Sequence, residues 1–381
     1  MSMAGAFTAI ANDPSALYFN PGGLTDVHGT QFMAGATFIM PSTTFRGPAP
    51  SIDETKMESQ LFTPINFYAT HQLNDEFTVG VSVNNPYGLG TKWASDWVGK
   101  FVTTETSVQM FFITPTVAYK INDQISVGAG FEYALASVTL KRKTPVDPFA
   151  GEGDVTLDGT GNGVGFTFGA LYKPMKDLSV GASLRSQVKV DFSGTATTTG
   201  PQQLIDAKKL PNGDVTTSLT TPMNITVGAA YHVTPELLVS ADYQWVGWSS
   251  FDSLKVDFTD AAFTDLANPR LYKDTYILRF GAEYKIDAAL TVRGGILSDR
   301  NPIPTPYLDP LLPDANRLGF NLGVGYKIDN NLSVDLSYLF LRFDERNTKG
   351  ASKVTSTGSN AFNGVYNSTA NLIGINLTYQ L

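Results

Sequence analysis

Apolar and polar residues alternate along most of this chain with a period of two. The clearest runs are residues 124–133, 237–245 and 332–340, where an aliphatic or aromatic residue occupies nearly every second position. This period is that of a β-strand with one apolar face. No stretch approaches the ~20 consecutive apolar residues that a helix needs to cross a membrane. The pattern therefore predicts an all-β chain.

One short motif recurs: an apolar strand end, a turn, and an alternating strand. Asn, Asp and Pro at the turn centres favour a tight bend, and a Tyr before five of the turns suits a membrane interface. Six copies predict six tight hairpins. The copies begin at Thr70, Tyr119, Tyr172, Tyr231, Tyr284 and Tyr326, as in YKINDQISVGAG and YKIDNNLSVDLS.

The other connections are long and polar. They span residues 46–58, 87–104, 143–163, 195–215, 249–271, 299–315 and 346–363. Seven long loops and six short turns join about fourteen strands. Short turns in the periplasm and long loops outside the cell are typical of outer-membrane barrels. We therefore expect an antiparallel transmembrane β-barrel of about 14 strands in a bacterial outer membrane.

A soluble β-sandwich would show the same alternation. Two features favour the barrel instead. The first is the consistent asymmetry between long and short connections. The second is an apolar face that reaches the last residue, as in the closing strands of such barrels; it comprises Ile373, Ile375, Leu377, Tyr379 and Leu381.

Composition agrees with a barrel. Only 16% of the residues are charged, 12% are aromatic and 35 are Gly, while the mean hydropathy of −0.06 fits strands with one apolar and one polar face. The net charge of −8 argues against a nucleic-acid partner, since no basic patch is available for phosphates. The absence of cysteine excludes disulfides and thiolate metal sites.

The residues before about Gly29 lack strand alternation. Because a barrel of this width leaves a lumen that side chains do not fill, we expect residues 1–28 to form an N-terminal hatch, or plug, and residues 29–381 to form the barrel. A disordered periplasmic tail is the alternative, which the apolar residues of the segment disfavour. Residues 1–9 lack the basic start and apolar core of a secretory signal, so we expect a removed signal or a truncated start.

Several motifs resemble the FadL/TodX-type outer-membrane transporters of long-chain fatty acids and aromatic hydrocarbons. AGAFTAIANDPSALYFNPGGL resembles the hatch of that family, with Asn20, Pro21 and Gly22 at its Asn-Pro-Ala motif. NPYGLGTKW, RSQVKVDFSG, VGWSSFDSLK and KDTYILRFG resemble its third, seventh, ninth and tenth strands, in that order. The resemblance implies uptake of hydrophobic molecules that bind outside, pass into the lumen and leave sideways through the barrel wall.

The third strand offers a physical basis for a gap in the wall. Pro86 has no N–H for the ladder and Gly88 has no side chain to pack, so the segment that also contains Tyr87 should interrupt strand pairing. The alternative is the ordinary start of a long loop. We take Pro86, Tyr87 and Gly88 as candidate gating residues together with the hatch motif.

A fatty-acid carboxylate needs a cation, preferably Arg, beside apolar walls. Arg142 has the lumen-side parity of the fifth strand and falls where the resemblance implies a carboxylate-binding Arg. The second basic residue of the family falls on Asn268, with Arg270 and Lys273 nearby. The alternative for Arg142 is an ordinary charge at the base of a loop.

Aromatic residues suggest two further features. Trp93, Trp97 and Phe101 in the second long loop can form an exposed apolar site where substrate enters, or they can simply pack the loop. Trp245 and Trp248 at the outer end of the ninth strand predict an aromatic girdle.

Charged residues on one parity should line the lumen and anchor the plug rather than contact substrate. They are Arg185, Lys189, Asp191, Asp242 and Arg279.

Catalysis and cofactors receive little support. The only histidines are His28, His71 and His232, all expected on the periplasmic side, and a hydrolase would need a positioned base. We expect no cofactor and no metal, with loop carboxylates such as Asp309 and Asp314 solvated. The expected partners are a hydrophobic small molecule, outer-membrane lipid and lipopolysaccharide, with a monomeric barrel. A general diffusion porin, a barrel enzyme and a structural outer-membrane protein remain alternatives.

Overall fold

The structure is a computed structural model that describes residues 2–149, 151–356 and 360–381, apart from the side chain of Leu89. Over these residues the chain forms fourteen barrel strands, five of them interrupted near the loop end. They are β1 Thr30–Arg46, β2 Ile65–Gln72, β3 Phe77–Asn84 with Gly88–Lys92, β4 Glu105–Lys120, β5 Ile125–Pro145, β6 Glu152–Met175, β7 Leu178–Arg185 with Lys189–Thr198, β8 Gly213–Thr220 with Met223–His232, β9 Leu237–Gly247 with Ser253–Phe258, β10 Leu266–Pro269 with Thr275–Lys285, β11 Leu290–Asp299, β12 Arg317–Lys327, β13 Leu332–Phe343 and β14 Val365–Gln380.

Short elements complete the fold. A helix, α1 (Ala16–Phe19), and a 3₁₀ helix (Pro21–Asp26) precede the barrel. A second helix, α2 (Gln202–Asp206), and two 3₁₀ turns (Trp248–Ser250 and Thr305–Tyr307) lie in the long connections, as do the strand pieces Glu54–Lys56 and Arg346–Asn347. Within the described residues, no helix is long and apolar enough to cross a membrane.

The sheet is closed. Each strand pairs antiparallel with the next, and β14 returns to β1 in a ladder that runs from Gln31↔Gln380 to Arg46↔Val365. Closure joins the first and last strands and removes the two free edges of an open sheet. The predicted 14-stranded antiparallel barrel is confirmed.

The period of two places apolar side chains on the outside of the barrel. On β5, Phe131 is 53% exposed on the outer face, whereas its neighbour Glu132 is completely buried on the inner face. Exposed aromatic and aliphatic side chains recur around the barrel, for example Phe280, Ile296 and Phe320. This inverted surface is stable only against an apolar solvent.

Most of the six tight turns are closed by a side chain at the turn centre. In four of them an Asn or Asp side chain accepts hydrogen bonds from the backbone N–H groups two and three residues later, as Asp287 does from Ala289 and Leu290. The same contacts hold the pKa of the Asp287 carboxyl below its usual range. The bends therefore come from the residues that the repeat places at its centre. The other three residues are Asn74, Asn122 and Asp329.

The predicted loop 143–163 is wrong. β5 continues to Pro145 and β6 begins at Glu152, and the two remain paired up to Pro145↔Glu152. β5 has 21 residues, about twice the 9–11 that a tilted strand needs to cross a bilayer. The outer part of this hairpin is polar because it extends beyond the apolar layer of the membrane. Polar residues there indicate contact with water and do not indicate a loop.

Candidate functional site

The leading segment, residues 2–28, is held inside the barrel by the side chain of Asn20. Its Nδ2 donates to the carbonyl oxygens of Thr8 at 2.7 Å and Ala170 at 3.0 Å, and its Oδ1 accepts from Gly22 N at 3.0 Å. Asn20 thus caps the 3₁₀ helix that begins with Pro21 and ties it to β6. All three groups of this fully buried amide are satisfied.

Lumen-facing residues of the barrel make further contacts with the same segment. The Asp242 carboxylate on β9 accepts from the backbone N–H groups of Phe7 and Thr8, each at 3.1 Å. On β7, Arg185 donates to the carbonyl of Tyr18 at 3.3 Å and lies over its ring at 4.3 Å. The expectation that Asp242 and Arg185 contact the segment agrees with this geometry.

Seven barrel glycines make room for the leading segment. At each, an added Cβ would approach that segment to within 3 Å, closer than any real Cβ contact. At Gly169, for example, the Cβ would lie 2.1 Å from Asn20 Oδ1. A Gly in a strand interior often marks the close approach of another backbone, and here the seven form a belt around the segment. They are Gly80, Gly128, Gly169, Gly181, Gly281, Gly295 and Gly323.

Gly22 fits the same belt from the other side. A Cβ on Gly22 would stand 2.9 Å from Ala170 Cα, a backbone atom that cannot move aside cheaply. The departure from the Asn-Pro-Ala motif therefore matches a barrel wall that lies closer to this residue than an alanine would tolerate.

Two cavities lie above and beside the leading segment. The outer cavity, towards the long loops, has a volume of about 450 Å³. The inner cavity, nearer the tight turns, has a volume of about 370 Å³ and reaches the wall at Ile65 and Asn85. Gly5, Tyr18, Phe19 and Pro86 line both cavities. The two spaces therefore meet at the aromatic residues of the leading segment and at the interruption of β3.

The wall is interrupted where the inner cavity reaches it. The ladder between β2 and β3 extends only to Phe67↔Val83, whereas the outer piece of β3 pairs with β4 alone. Farther out, residues 57–65 contact β3 again: the Phe62 ring lies against Gly90, and Glu58 N donates to Lys92 O at 2.8 Å. Pro86 lies between these points and cannot donate.

Side chains replace the missing ladder. Asn85 Oδ1 accepts from Ile65 N at 3.1 Å, and its Nδ2 donates to Met110 O at 3.1 Å. Asn85 therefore bridges the strands on both sides of the interruption. Tyr87 turns into the lumen, where its hydroxyl donates to Pro222 O at 3.3 Å and accepts from Asn224 at 2.9 Å. Gly88 is exposed, and a Cβ there would meet only Val108 O at 3.4 Å.

Of the two interpretations of Trp93 and Trp97, packing within the loop agrees with the structure and an exposed site does not. They are 1% and 4% exposed and stack at 4.3 Å, and their indole N–H groups donate to Pro310 O and Thr103 O. They belong to an apolar cluster that closes the mouth of the barrel, because residues from several loops and strand ends bury each other there; we call it the lid. Its other buried members are Phe45, Met57, Tyr272, Ile303, Leu308, Phe362 and Tyr366.

Two more aromatic predictions are affected by the lid. Phe101, in the same loop, is half-buried. The Lys100 ammonium lies 5.3 Å from its ring centre. Trp248 is not part of an outer girdle, because it packs on the lid and lines the outer cavity. The first piece of β9 ends at Gly247, and the following 3₁₀ turn directs Trp248 inwards. Trp245 keeps the outward parity of β9.

The predicted carboxylate ligands do not line either cavity. Arg142 is half-buried at the outer end of β5, where the only hydrogen bond of its side chain within the described chain runs to Phe101 O at 3.5 Å, and burial lowers the pKa of its guanidinium. Arg270 forms a buried ion pair with Asp309, and Lys273 is exposed. Asn268 lies in the outer piece of β10, opposite Leu254.

Several predicted charges have different positions. Asp309 is not solvated: it is 3% exposed and also accepts from Leu311 N at 3.0 Å. Asp314 pairs with Arg317 at 3.3 Å. Lys189 and Asp191 do not line the lumen but pair with each other outside, because the interruption after Arg185 reverses the parity of β7.

Sequence reasoning missed four features of the two cavities and the wall beside them. Asn85 was read only as part of the kink, and Tyr18 and Phe19 only as apolar content of the plug. The fourth is a charged group in the inner cavity, where Arg293 binds Glu283 at 2.7 Å and Asp335 at 2.5 Å. Their inward parity was visible in the alternation, but which strands face each other across the lumen was not.

Comparisons with known proteins agree with this architecture. The protein is 28% identical over 361 residues to the "Long-chain fatty acid transport protein" of Salmonella typhi, covering 87% of this chain and 82% of the relative. A Pseudomonas aeruginosa FadL homologue superimposes with a TM-score of 0.89 at 20% identity, covering 100% of this chain and 98% of the other. The Ralstonia pickettii toluene transporter TbuX gives 0.75 at 20% identity, covering 100% and 97%.

The family model "Outer membrane protein transport protein (OMPP1/FadL/TodX)" matches residues 1–381. The exposed apolar face of the closed barrel fits the outer membrane in which such proteins lie. The chain is therefore a bacterial outer-membrane barrel and belongs to the OMPP1/FadL/TodX family of outer-membrane transport proteins.

Proposed function

We propose that this protein takes up hydrophobic molecules, either long-chain fatty acids or aromatic hydrocarbons, and releases them sideways through the wall near Pro86. The substrates follow from the relatives, which are named for fatty-acid and toluene transport. The observation that carries lateral release is the inner cavity, which reaches Ile65 and Asn85 where the β2–β3 ladder is absent.

The route has four parts. The lid covers the mouth, the outer cavity receives the substrate, the leading segment acts as a hatch below it, and the inner cavity leads to the wall. Tyr18 and Phe19 lie where both cavities meet, so a movement of α1 would widen the passage. The motif Asn20, Pro21 and Gly22 fixes α1 to β6 and sets how easily that movement occurs.

Arg142 is the proposed first contact for a fatty-acid carboxylate. Its neighbours Lys141 and Lys143 pair with Glu105 and Asp154, whereas no carboxylate of the described residues lies within 4.0 Å of Arg142. Its guanidinium donates to Phe101 O at 3.5 Å. Trp93 and Trp97 lie in the same loop and would contact substrate when the lid opens. Opening of the lid would also separate Arg270 from Asp309 and free its guanidinium for substrate. Lys273 lies outside the lid.

We propose that the protein works as a monomer without cofactor, metal or catalysis. The outer ring of apolar side chains contacts membrane lipid, and lipopolysaccharide surrounds the loop end. Transport needs only the closed barrel, the two cavities and the hatch, all of which one chain supplies.

Ligand binding tests the proposal directly. The purified barrel is titrated with palmitate and with toluene, as wild type and as Arg142→Ala. Binding of either ligand supports uptake of hydrophobic molecules, and a loss of palmitate affinity alone in the variant supports the carboxylate contact. Binding of neither ligand by the wild type would refute the proposed function.

A general diffusion porin is the competing function. It predicts a large, steady ion conductance in planar bilayers, whereas a hatch held by Asn20, Asp242 and the glycine belt predicts a low one. Recordings from the full-length wild-type chain decide between the two.

A further inference from the structure

Arg279 projects from β10 into the outer cavity and has no ion-pair partner among the residues that the structure describes. Two other partly buried arginines of that cavity are neutralised: Arg185 by Glu132 at 2.8 Å and Arg317 by Asp299 at 2.6 Å. Arg300, which also lines the cavity, is exposed. No carboxylate oxygen of the described chain lies within 4.0 Å of the Arg279 side chain. Asp242 is its cross-strand neighbour, but Oδ2 of Asp242 is occupied by the amides of the hatch.

The hatch lies directly beneath this guanidinium. A Cβ on Gly5 would stand 3.3 Å from Arg279 Nε, and the φ of Gly5 is +79°. A side chain at this position would therefore be strained and would contact the arginine. Because Gly5 lines both cavities, Arg279 marks the point where a ligand passes from the outer cavity to the inner one.

The charge changes sign beyond this point. Among the described residues, the inner cavity is lined by three carboxylates, those of Asp13, Glu283 and Asp335, and by one guanidinium, that of Arg293. Arg293 is already bound to Glu283 and Asp335, and within the described chain Asp13 accepts hydrogen bonds from Ser15 alone. An ionised head group that moved past Gly5 would leave an unpaired cation and meet excess negative charge.

We propose that Arg279 is a second carboxylate subsite, which holds the head group of a long-chain monocarboxylate while its alkyl tail leads into the inner cavity. The inference rests on the proposed uptake function and adds to it the ligand class and the orientation. A guanidinium offers a two-pronged donor that matches a carboxylate. Neutral hydrocarbons pass the same point without using it.

Affinity measurements with matched ligands test the subsite. Palmitate and hexadecanol share their tail and differ in charge, and both are titrated against the wild type, Arg279→Gln and Arg279→Lys. We expect Arg279→Gln to weaken the affinity for palmitate about tenfold or more, because a charge-assisted contact is lost. Hexadecanol should bind as before, and Arg279→Lys should retain most of the palmitate affinity.

Controls separate this inference from the proposed function. Lys189→Gln removes an exposed cation outside the lumen and should leave the affinities for palmitate and hexadecanol unchanged. A wild type that binds neither ligand would refute the proposed function, whereas a wild type that binds both and an Arg279→Gln variant with unchanged palmitate affinity would refute only the subsite. Equal weakening of the affinities for both ligands would also overturn the subsite, because a structural defect lowers the binding of charged and neutral ligands alike.

Cross-linking tests the orientation. Palmitate with a diazirine at its terminal carbon should label Met33 or Thr37, which line the inner cavity. Labelling confined to Trp248 or Leu297 of the outer cavity would overturn tail-first passage.

Discussion

A methyl group at position 169 tests whether the hatch is held by close backbone contact. Gly169 lies on the lumen face of β6, and a Cβ there would stand 2.1 Å from Asn20 Oδ1 and 2.7 Å from Pro21 Cδ. Neither atom can move independently, because Asn20 is hydrogen-bonded on three sides and Pro21 is part of the 3₁₀ helix. Gly169→Ala should therefore displace the hatch rather than distort a side chain.

The magnitude follows from the strain that the added methyl group causes while the hatch is seated. Overpacking of a filled interior costs about 1–3 kcal/mol. The hydrogen bond from Asn20 to Ala170 O is lost on displacement in the wild type as well, so it does not contribute to the difference between the two proteins. The strain of about 1–3 kcal/mol shifts the equilibrium between seated and displaced hatch roughly 5- to 150-fold towards the displaced state.

Planar-bilayer conductance and limited proteolysis measure the displacement. Gly169→Ala should show more frequent or larger openings and faster cleavage within residues 2–28. Gly294→Ala is the matched control, because a Cβ there meets no atom closer than 3.7 Å. Slower migration on heating in gels confirms that both barrels are folded. If Gly169→Ala conducts and is cleaved as the control is, the close-contact account of the hatch is refuted.

Three further predictions concern the wall and the lid. Asn85→Ala removes two hydrogen bonds across the interruption, about 1 kcal/mol each, and should speed uptake several-fold in a transport assay; slower uptake would contradict the bridging role. Gly88→Val has room for its side chain but stiffens the backbone, so uptake should slow while the barrel remains folded. Arg270→Ala leaves the Asp309 carboxylate buried without its partner and should destabilise the lid by about 3–5 kcal/mol, measured by thermal melting of tryptophan fluorescence. Arg270→Met with Asp309→Leu should restore most of that stability.

The barrel could be predicted because its strands are set by local rules. The period of two fixes which face of each strand is apolar, and residues such as Asn122 and Asp287 make the tight turns within three residues of themselves. These contacts need no knowledge of distant strands. Strand count and closure followed from them.

The site could be predicted only in part, because it depends on contacts between distant strands. The parity of β7 reversed after Arg185 at an interruption that the pattern did not show, which moved Lys189 outside. Trp93 became buried because Phe45 and Phe362, far away in the chain, pack in the same lid. Arg270 pairs with Asp309 because the fold brings together two loops that are distant in the sequence. Parity indicates that a residue points inwards but not what it meets there.

Photo-cross-linking during uptake tests lateral release most directly. Cells or proteoliposomes carrying the protein take up a fatty acid with a diazirine on its chain, and labelled residues are mapped by mass spectrometry. Lateral release predicts labels at Pro64, Ile65 and Asn85, where the inner cavity reaches the wall, and fewer of them in Gly88→Val. Labels on the turn-side end of the hatch, at His28, with none at the wall, would show passage straight through the barrel and contradict the account.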